Sequence, residues 1–292
     1  MTYTTLDYQL GDGILTITLN RPEHMNSFTV TMANELVDAI NRASDDDDVR
    51  VIVFTGAGKA FCAGMDLTAE GNVFGLNEEL EPSLGDVEEH YEDPEYISGV
   101  RDTGGRVSLA LYECCKPVIA AINGAAVGIG ATMTLPMDIR LASTKARIGF
   151  VFNKIGITPE ACSTWFLPRV VGLSQALELT YSAEILDADK AKAYGLVKDV
   201  CEPEDLLDEA YKIARHIADN SSPVAIAMTR QMMYRNSAMP HPRDAHKVDS
   251  LAIFYASQKD GKEGVASFLE KRKAEFTQTA PSDLPAFYPW WD

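Results

Sequence analysis

The sequence predicts an α/β protein whose parallel strands turn through glycines into helices, followed by a helical carboxyl-terminal part. Two apolar β-branched runs, at 49–55 and 118–122, support this prediction. Each is followed by small residues that enter a probable helix, KAFCAGMDL at 59–67 and NGAAVGIG at 123–130. Repeated strand, turn and helix are typical of parallel β/α winding. From about residue 159 the patterns are mainly helical, which places the boundary near residue 200, between parts 1–200 and 201–292.

Each remaining element has its own signal. Residues 5–10 and 14–19 alternate around Gly11-Asp12-Gly13, which predicts a hairpin. Apolar residues at helical spacing predict a helix over 29–44. Further strands are expected at 138–142, 148–152 and 197–200. Further helices are expected at 105–114, 129–137, 160–170, 174–181, 188–193, 203–219, 222–235, 243–259 and 262–275.

Two segments depart from this regular pattern. Residues 70–102 are rich in Glu and Asp with Gly, Pro and Tyr interspersed, which favours an acidic insertion that forms a mobile lid or rim rather than a separate binding module. The tail 281–292 is rich in proline and aromatic residues. The sequence leaves open whether this tail packs across a neighbouring subunit or is disordered.

Composition excludes several classes of function. The 292 residues carry a net charge of −17, which disfavours sequence-independent binding to nucleic acid or to an anionic membrane. The apolar tract 117–137 is interrupted by Asn123, glycines and prolines, so it predicts a buried strand-turn-helix rather than a membrane span. The five cysteines and five histidines show no metal-ligand spacing, so no metal site is expected. An odd cysteine count without a secretory signal favours a cytoplasmic protein.

The two glycine turns carry the chemical signal. A strand that turns through glycines into a helix leaves backbone N–H groups unpaired, with the positive helix end behind them. Two such turns facing each other would form a pocket for a developing oxyanion. Enolate chemistry on a thioester requires such a pocket.

Six short segments follow one another along the chain: LNRP at 19–22, AGMDL at 63–67, KPVIAAING at 116–124, DIRLA at 138–142, AYGLV at 193–197 and EGVASFLEKR at 263–272. In this order and at these spacings they resemble the crotonase (enoyl-CoA hydratase/isomerase) superfamily. The resemblance implies a spiral of ββα units and a helical carboxyl-terminal region that builds a homotrimer or a dimer of trimers. It also implies an acyl-CoA thioester substrate, in fatty-acid or related acyl-CoA metabolism, with no cofactor beyond the coenzyme A of that substrate.

The resemblance also assigns roles to residues. The oxyanion donors would be the backbone N–H groups of Met65 and Ile129. Phe268 and Lys271 match positions that reach the coenzyme A of a related subunit, although Lys271 could equally be a solvated helix charge. The other residues expected to contact substrate or coenzyme A are His24, Met25, Ala63, Gly64, Asp66, Leu67, Gly128, Thr132 and Phe152.

Departures from the family pattern indicate the reaction. Hydratases of this family use two glutamates, and this chain has Thr132 and Phe152 at those positions, so the acid/base pair for water addition is missing. The segment 156–164 resembles the part of peroxisomal-type Δ3,Δ2-enoyl-CoA isomerases that carries their single catalytic glutamate, here Glu160. A lone base suffices to move a proton from C2 to C4 of a 3-enoyl-CoA.

Other interpretations remain open at this stage. Thr158 as N-cap and Pro159 at the first helical position would make Glu160 an ordinary first-turn acid. The chain could also be a hydratase that recruits another carboxylate, an enzyme of a different enolate reaction, or an acyl-CoA-binding protein without turnover. The sequence favours an enoyl-CoA isomerase with Glu160 as its base.

Overall fold

The computed structural model describes residues 2–68 and 71–291, and ten strands and twelve α-helices lie within these ranges. The strands are β1 Leu6–Gly11, β2 Ile14–Leu19, β3 Val51–Gly56, β4 Ala60–Cys62, β5 Val118–Ile122, β6 Ala125–Val127, β7 Ile139–Ser143, β8 Arg147–Gly149, β9 Ile185–Asp187 and β10 Asp199–Cys201. The helices are α1 Val30–Asp45, α2 Leu84–Glu89, α3 Pro94–Gly99, α4 Thr103–Glu113, α5 Ile129–Thr132, α6 Ser163–Val171, α7 Leu173–Ser182, α8 Ala188–Ala193, α9 Leu206–Asn220, α10 Pro223–Asn236, α11 Pro242–Ala256 and α12 Asp260–Glu270.

A six-stranded sheet forms the centre of the core, in the order β1-β2-β3-β5-β7-β10. The β1–β2 hairpin is antiparallel, and every other pair is parallel. Val51 and Val53 belong to the cluster beneath α9, whereas Ile52 and Phe54 belong to the main core on the opposite face. Both faces are covered, which explains why the strands read as continuous apolar runs rather than as an alternation.

A smaller four-stranded sheet, β4-β6-β8-β9, positions the two glycine turns. Strands β4 and β6 are parallel neighbours, with Ala60 paired to Ala125 and Cys62 to Ala126. The turns that follow these two strands therefore leave the same edge of the sheet side by side. The sequence patterns did not predict β4, β6 or β9, because a strand of three residues is too short to show a period.

Several predicted boundaries were wrong. The strand expected at 148–152 ends at Gly149 and is followed by a 3-10 turn, Phe152–Ile155. The helix expected at 129–137 ends at Thr132, and the strand expected at 197–200 begins at Asp199. In each case the apolar run continues into a buried turn. A buried turn is as apolar in composition as a buried helix or strand, so composition does not mark where the helix or strand ends.

The acidic insertion folds onto the core as a rim, which we define as residues 71–102. It contains α2 and α3, and Asn77 donates a backbone hydrogen bond of 2.8 Å to Gly99 across it. Thr103 Oγ1 donates to the Phe74 carbonyl at 3.3 Å, which fastens the rim to α4. The rim therefore forms one wall of the space above the glycine turns.

Among the carboxyl-terminal helices, α9 covers one face of the six-stranded sheet, and later helices leave apolar side chains in solvent. The tail folds back over its own chain, where Trp291 lies against the Arg235 guanidinium and Phe287 lies near Tyr255. Exposed apolar residues recur on α11 and α12, with Phe268 81% exposed. No helix within the described residues has the length and apolar character needed to cross a bilayer.

Candidate active site

A cavity of about 610 Å³ lies between the two glycine turns, the rim and the start of α6. Its walls are mainly apolar, with two carboxylates, Glu160 and Asp102, at one side. A groove of similar volume, about 620 Å³, lies between α10, α11 and the tail, but neither glycine turn reaches it. The cavity is lined by Phe28, Ala63, Gly64, Met65, Leu67, Phe74, Leu76, Val100, Asp102, Thr103, Gly104, Val127, Gly128, Ile129, Val151, Phe152, Ile155, Gly156, Ile157, Thr158 and Glu160.

Glycines bring the two turns into contact. A Cβ on Gly130 would lie 2.0 Å from the Cys62 carbonyl oxygen, so only glycine lets α5 approach β4 this closely. Gly64 and Gly128 have φ of +112° and +57°, which favours glycine at both turns. The conformations of both turns are therefore fixed by backbone geometry.

Each turn presents one backbone N–H to the cavity. In the β-bridge between Phe28 and Met65, the Phe28 N–H donates to the Gly64 carbonyl and the Asp66 N–H donates to the Phe28 carbonyl, both at 2.8 Å. The Met65 N–H takes no part in this bridge. Gly128 donates to the Gly149 carbonyl at 2.9 Å, and the following Ile129 begins α5. Within residues 2–68 and 71–291 neither Met65 nor Ile129 has an acceptor for its N–H. The sequence predicts a donor role for these two N–H groups.

Glu160 lies in a left-handed turn, not in a helix. Ala161 and Cys162 have φ of +57° and +54°, and the Ser163 N–H donates to the Glu160 carbonyl at 3.0 Å. The helix begins only at Ser163, with Cys162 as its N-cap residue. The first-turn interpretation, with Thr158 as N-cap, was therefore wrong. Non-glycine residues cost about 1–3 kcal/mol each in this conformation, a strain that is concentrated at functional sites.

The Glu160 carboxylate is enclosed from two sides. The wholly buried Thr132 donates from Oγ1 to Glu160 Oε1 at 2.6 Å. Gly104 leaves the space on the other side, because a Cβ there would lie 2.1 Å from Glu160 Oε2 and 2.5 Å from Ile129 Cδ1. Glu160 as a residue is half-buried because it lines the cavity, whereas its carboxylate is shielded by these neighbours.

Burial raises the pKa of Glu160 well above its usual value. The charge of Asp102 raises this pKa further, and the hydrogen bond from Thr132 opposes the shift. A carboxylate with a raised pKa is a stronger base, and in an enclosed site it can hold a proton between two steps of a reaction.

Asp102 is the site residue that sequence reasoning missed. It is the N-cap of α4, where Oδ1 accepts from the Gly104 N–H at 3.0 Å. Oδ2 accepts from the Ala161 N–H at 2.5 Å, so Asp102 also contacts the turn that carries Glu160. An aspartate before Thr-Gly-Gly is an N-cap signal, but no local pattern reveals its contact 59 residues along the chain.

The predicted coenzyme A contacts lie in different parts of the structure. Ala63, Gly64, Leu67, Gly128 and Phe152 line the cavity together with the two N–H donors. Near them, Met25 accepts the Ala63 N–H at 3.1 Å, and His24 precedes it in an exposed turn.

The other predicted contacts have internal roles or lie elsewhere. The Asp66 carboxylate is held by Thr68 Oγ1 at 2.6 Å and by Arg21 at 3.0 Å, contacts that lower its pKa. Asp66 therefore stabilises its own loop, a role that no pattern in the sequence indicated. Phe268 and Lys271 lie on and just after α12 and do not line the cavity of their own chain.

Comparison with known proteins agrees with this geometry. Residues 9–279 match the enoyl-CoA hydratase/isomerase family. The chain is 40% identical over 272 residues to the enoyl-CoA hydratase ACTT3 of Alternaria alternata, covering 92% of this chain and 84% of that protein. It is 35% identical over 268 residues to the 1,2-epoxyphenylacetyl-CoA isomerase of Escherichia coli, covering 91% and 95%.

The fold has a close counterpart among solved structures. The enoyl-CoA hydratase from Bacillus anthracis superposes with a TM-score of 0.80 at 29% identity, covering 94% of this chain and 99% of that chain. The family match over residues 9–279 includes both glycine turns, Glu160 and α9 to α12. The chain belongs to the enoyl-CoA hydratase/isomerase family, within the crotonase superfamily.

Proposed function

We propose that this acyl-CoA enzyme is an enoyl-CoA isomerase that moves the double bond of a 3-enoyl-CoA to the 2-position. The observation that carries the proposal is the position of Glu160, a single enclosed carboxylate of raised pKa beside two unpaired N–H groups. Thr132 and Phe152, which the family resemblance aligns with the two glutamates of hydratases, provide no second acid or base. Family membership supports enoyl-CoA chemistry in general, and the site chemistry supports the particular reaction.

The proposed reaction is a proton transfer within one substrate. Glu160 removes a proton from C2 of the 3-enoyl thioester, and the electron pair moves into the thioester carbonyl to form a dienolate. The Met65 and Ile129 N–H groups stabilise the oxyanion, a contribution of ~10²–10³ in rate for each donor. Glu160 then returns the proton to C4, and the double bond lies between C2 and C3 with no change in composition.

The Thr132 hydroxyl suits both protonation states of this base. It donates to ionised Glu160 at 2.6 Å, and its oxygen also lies 3.3 Å from the Gly128 carbonyl. When Glu160 holds the proton, the Thr132 hydroxyl can turn to donate to Gly128 and accept from the acid. The carboxyl group therefore keeps a hydrogen-bond partner throughout the transfer.

Replacement of the base tests its role. We expect Glu160→Gln to lower kcat on a trans-3-enoyl-CoA by ~10²–10⁴, the range for loss of a general base, with KM little changed. Glu184→Gln is the matched control, because this exposed glutamate pairs with Lys190 outside the cavity. Isomerase activity of Glu160→Gln within a factor of about three of the unmodified enzyme would show that Glu160 is not the base.

Hydration of a 2-enoyl-CoA is the second candidate, because Asp102 places another carboxylate next to Glu160. Two carboxylates could divide the activation of water and the protonation of carbon between them. Both Asp102 oxygens already accept backbone N–H groups, which favours a positioning role instead. Product mass separates the two candidates, since hydration adds one water and isomerisation adds nothing.

A further inference from the structure

We propose that Asp102 is a positioning residue for Glu160, holding the left-handed turn that directs Glu160 into the cavity and keeping Glu160 a strong proton acceptor through its negative charge. This inference rests on the proposed role of Glu160 as the base.

The turn needs stabilising contacts from outside, because the left-handed conformation is unfavourable for its two central residues. Ala161 and Cys162 occupy left-handed backbone positions that non-glycine side chains rarely adopt. The Ala161 N–H donates to Asp102 Oδ2 at 2.5 Å, which ties this turn to the N-cap of α4. Asp102 is in turn fixed by the Gly104 N–H at 3.0 Å. The N-terminus of α4 therefore determines the direction of Glu160.

The charges around Glu160 leave Asp102 as its main electrostatic neighbour. The thiols Cys62 on β4 and Cys162 before α6 also interact with Glu160, but burial raises the pKa of both, to about 12 for Cys62, so both are neutral at physiological pH. Across the described residues, no lysine or arginine forms an ion pair with Glu160 or Asp102. Arg101, which precedes Asp102, lies 3.7 Å from Glu92, and its charge opposes the rise in the pKa of Cys162, so it also reaches this region. The exposed Asp102 adds a negative charge that Arg101 and solvent screen only in part.

The pH dependence of catalysis tests the charge. Glu160 must be ionised to accept a proton, so kcat/KM rises with pH through its pKa. Asp102→Asn removes the like charge and should move this acidic limb to lower pH by roughly 0.5–1 unit. It should also lower kcat by about 10-fold through misalignment of the base. Asp93→Asn, an exposed carboxylate of the rim paired with His90, should change neither quantity.

A second variant separates the turn from the charge. Glycine adopts the left-handed conformation without penalty, so Ala161→Gly should relieve the turn of its need for Asp102. The double variant Asp102→Asn/Ala161→Gly should recover most of the lost kcat and keep the shifted acidic limb. If Asp102→Asn alone folds poorly, this double variant still reports the charge effect.

A direct titration keeps the inference independent of activity. In protein with ¹³C-labelled glutamate, the Glu160 carboxyl signal is identified by its absence in Glu160→Gln, and its midpoint should fall in Asp102→Asn. An unchanged midpoint and an unchanged acidic limb would overturn the inference even if Glu160→Gln is inactive. Full activity of Glu160→Gln would instead overturn the proposed function itself.

Discussion

At the scale of single residues, the candidate base depends on space that a glycine leaves open. The Glu160 carboxylate occupies the volume beside Gly104 that a Cβ would fill, and Thr132 holds it from the other side. The sequence indicated Glu160 through its segment and the two N–H donors through their glycine turns. It could not indicate Gly104 or Asp102, because their contacts with 160 and 161 exist only after α4 packs against the start of α6.

Gly104→Ala tests this packing. The new Cβ would lie 2.1 Å from Glu160 Oε2, so the carboxylate must move away from its position in the cavity. We expect isomerase activity to fall about 10²-fold, as for a base misplaced by about 1 Å. The same Cβ would lie 2.5 Å from Ile129 Cδ1, and this overpacking should lower stability by about 1–3 kcal/mol. Kinetic assay and thermal unfolding measure the two effects.

The matched control is Gly85→Ala in α2, where the nearest atom would be 3.8 Å from the new Cβ. It should retain full activity. If Gly104→Ala were as active as this control, the enclosed position of Glu160 would not matter for the reaction.

At the scale of elements, the long strands were predictable and the short ones were not. Strands β3 and β5 are continuous apolar runs because both faces are covered, and α9 follows its helical spacing. Strands β4 and β6 have three residues each, and their pairing depends on the missing side chains of Gly124 and Gly130. The glycine turns were recognised, but the sheet that holds them together was not.

The joint between α4, α10 and the turn before β7 depends on one buried arginine. Arg230 pairs with Asp138 at 3.0 Å and donates to the Leu111, Tyr112 and Pro136 carbonyls. Arg230→Met leaves the partly buried Asp138 carboxylate without its cation, so we expect a loss of about 3–5 kcal/mol in the free energy of unfolding. Tyr234 Oη still donates to Asp138 and to the Pro136 carbonyl, and Gln231 Nε2 still donates to the Tyr112 carbonyl. Denaturant titration measures this loss.

Arg215→Met is the control for that substitution. Arg215 lies on the surface of α9, 3.9 Å from Asp219, and an exposed pair of this kind contributes about 0–1 kcal/mol. Equal stability of the two variants would mean that methionine packing compensates for the lost hydrogen bonds at the joint.

At the scale of the whole molecule, apolar side chains on α12 remain in solvent in a single chain. Val265, Phe268 and Leu269 are 62%, 81% and 74% exposed. Exposed apolar surface of this kind is typical of a protein–protein contact. The family resemblance predicts that such helices build a trimer and bring Phe268 to the coenzyme A of a related subunit. In the sequence, only the motif at 263–272 indicated this role. The apolar pattern of one chain does not show which of its surfaces another copy covers.

Phe268→Asp tests the assembly. The mass of the unmodified protein, measured by sedimentation, should be three or six times the 32.0 kDa of one chain, because burial of this apolar surface favours association. The charged substitution should shift it toward the monomer. Leu84→Asp in α2 is the control, an equally exposed leucine, 76%, on the rim. A monomeric unmodified protein would contradict the predicted trimer.

The product of the unmodified enzyme tests the central claim most directly. Purified protein is incubated separately with a trans-3-enoyl-CoA and with a trans-2-enoyl-CoA, and the products are identified by chromatography and mass. The single enclosed base predicts conversion of the 3-enoyl to the 2-enoyl isomer with no change in mass. A gain of one water from the 2-enoyl substrate, without isomerisation of the 3-enoyl substrate, would contradict the proposed isomerase and identify a hydratase.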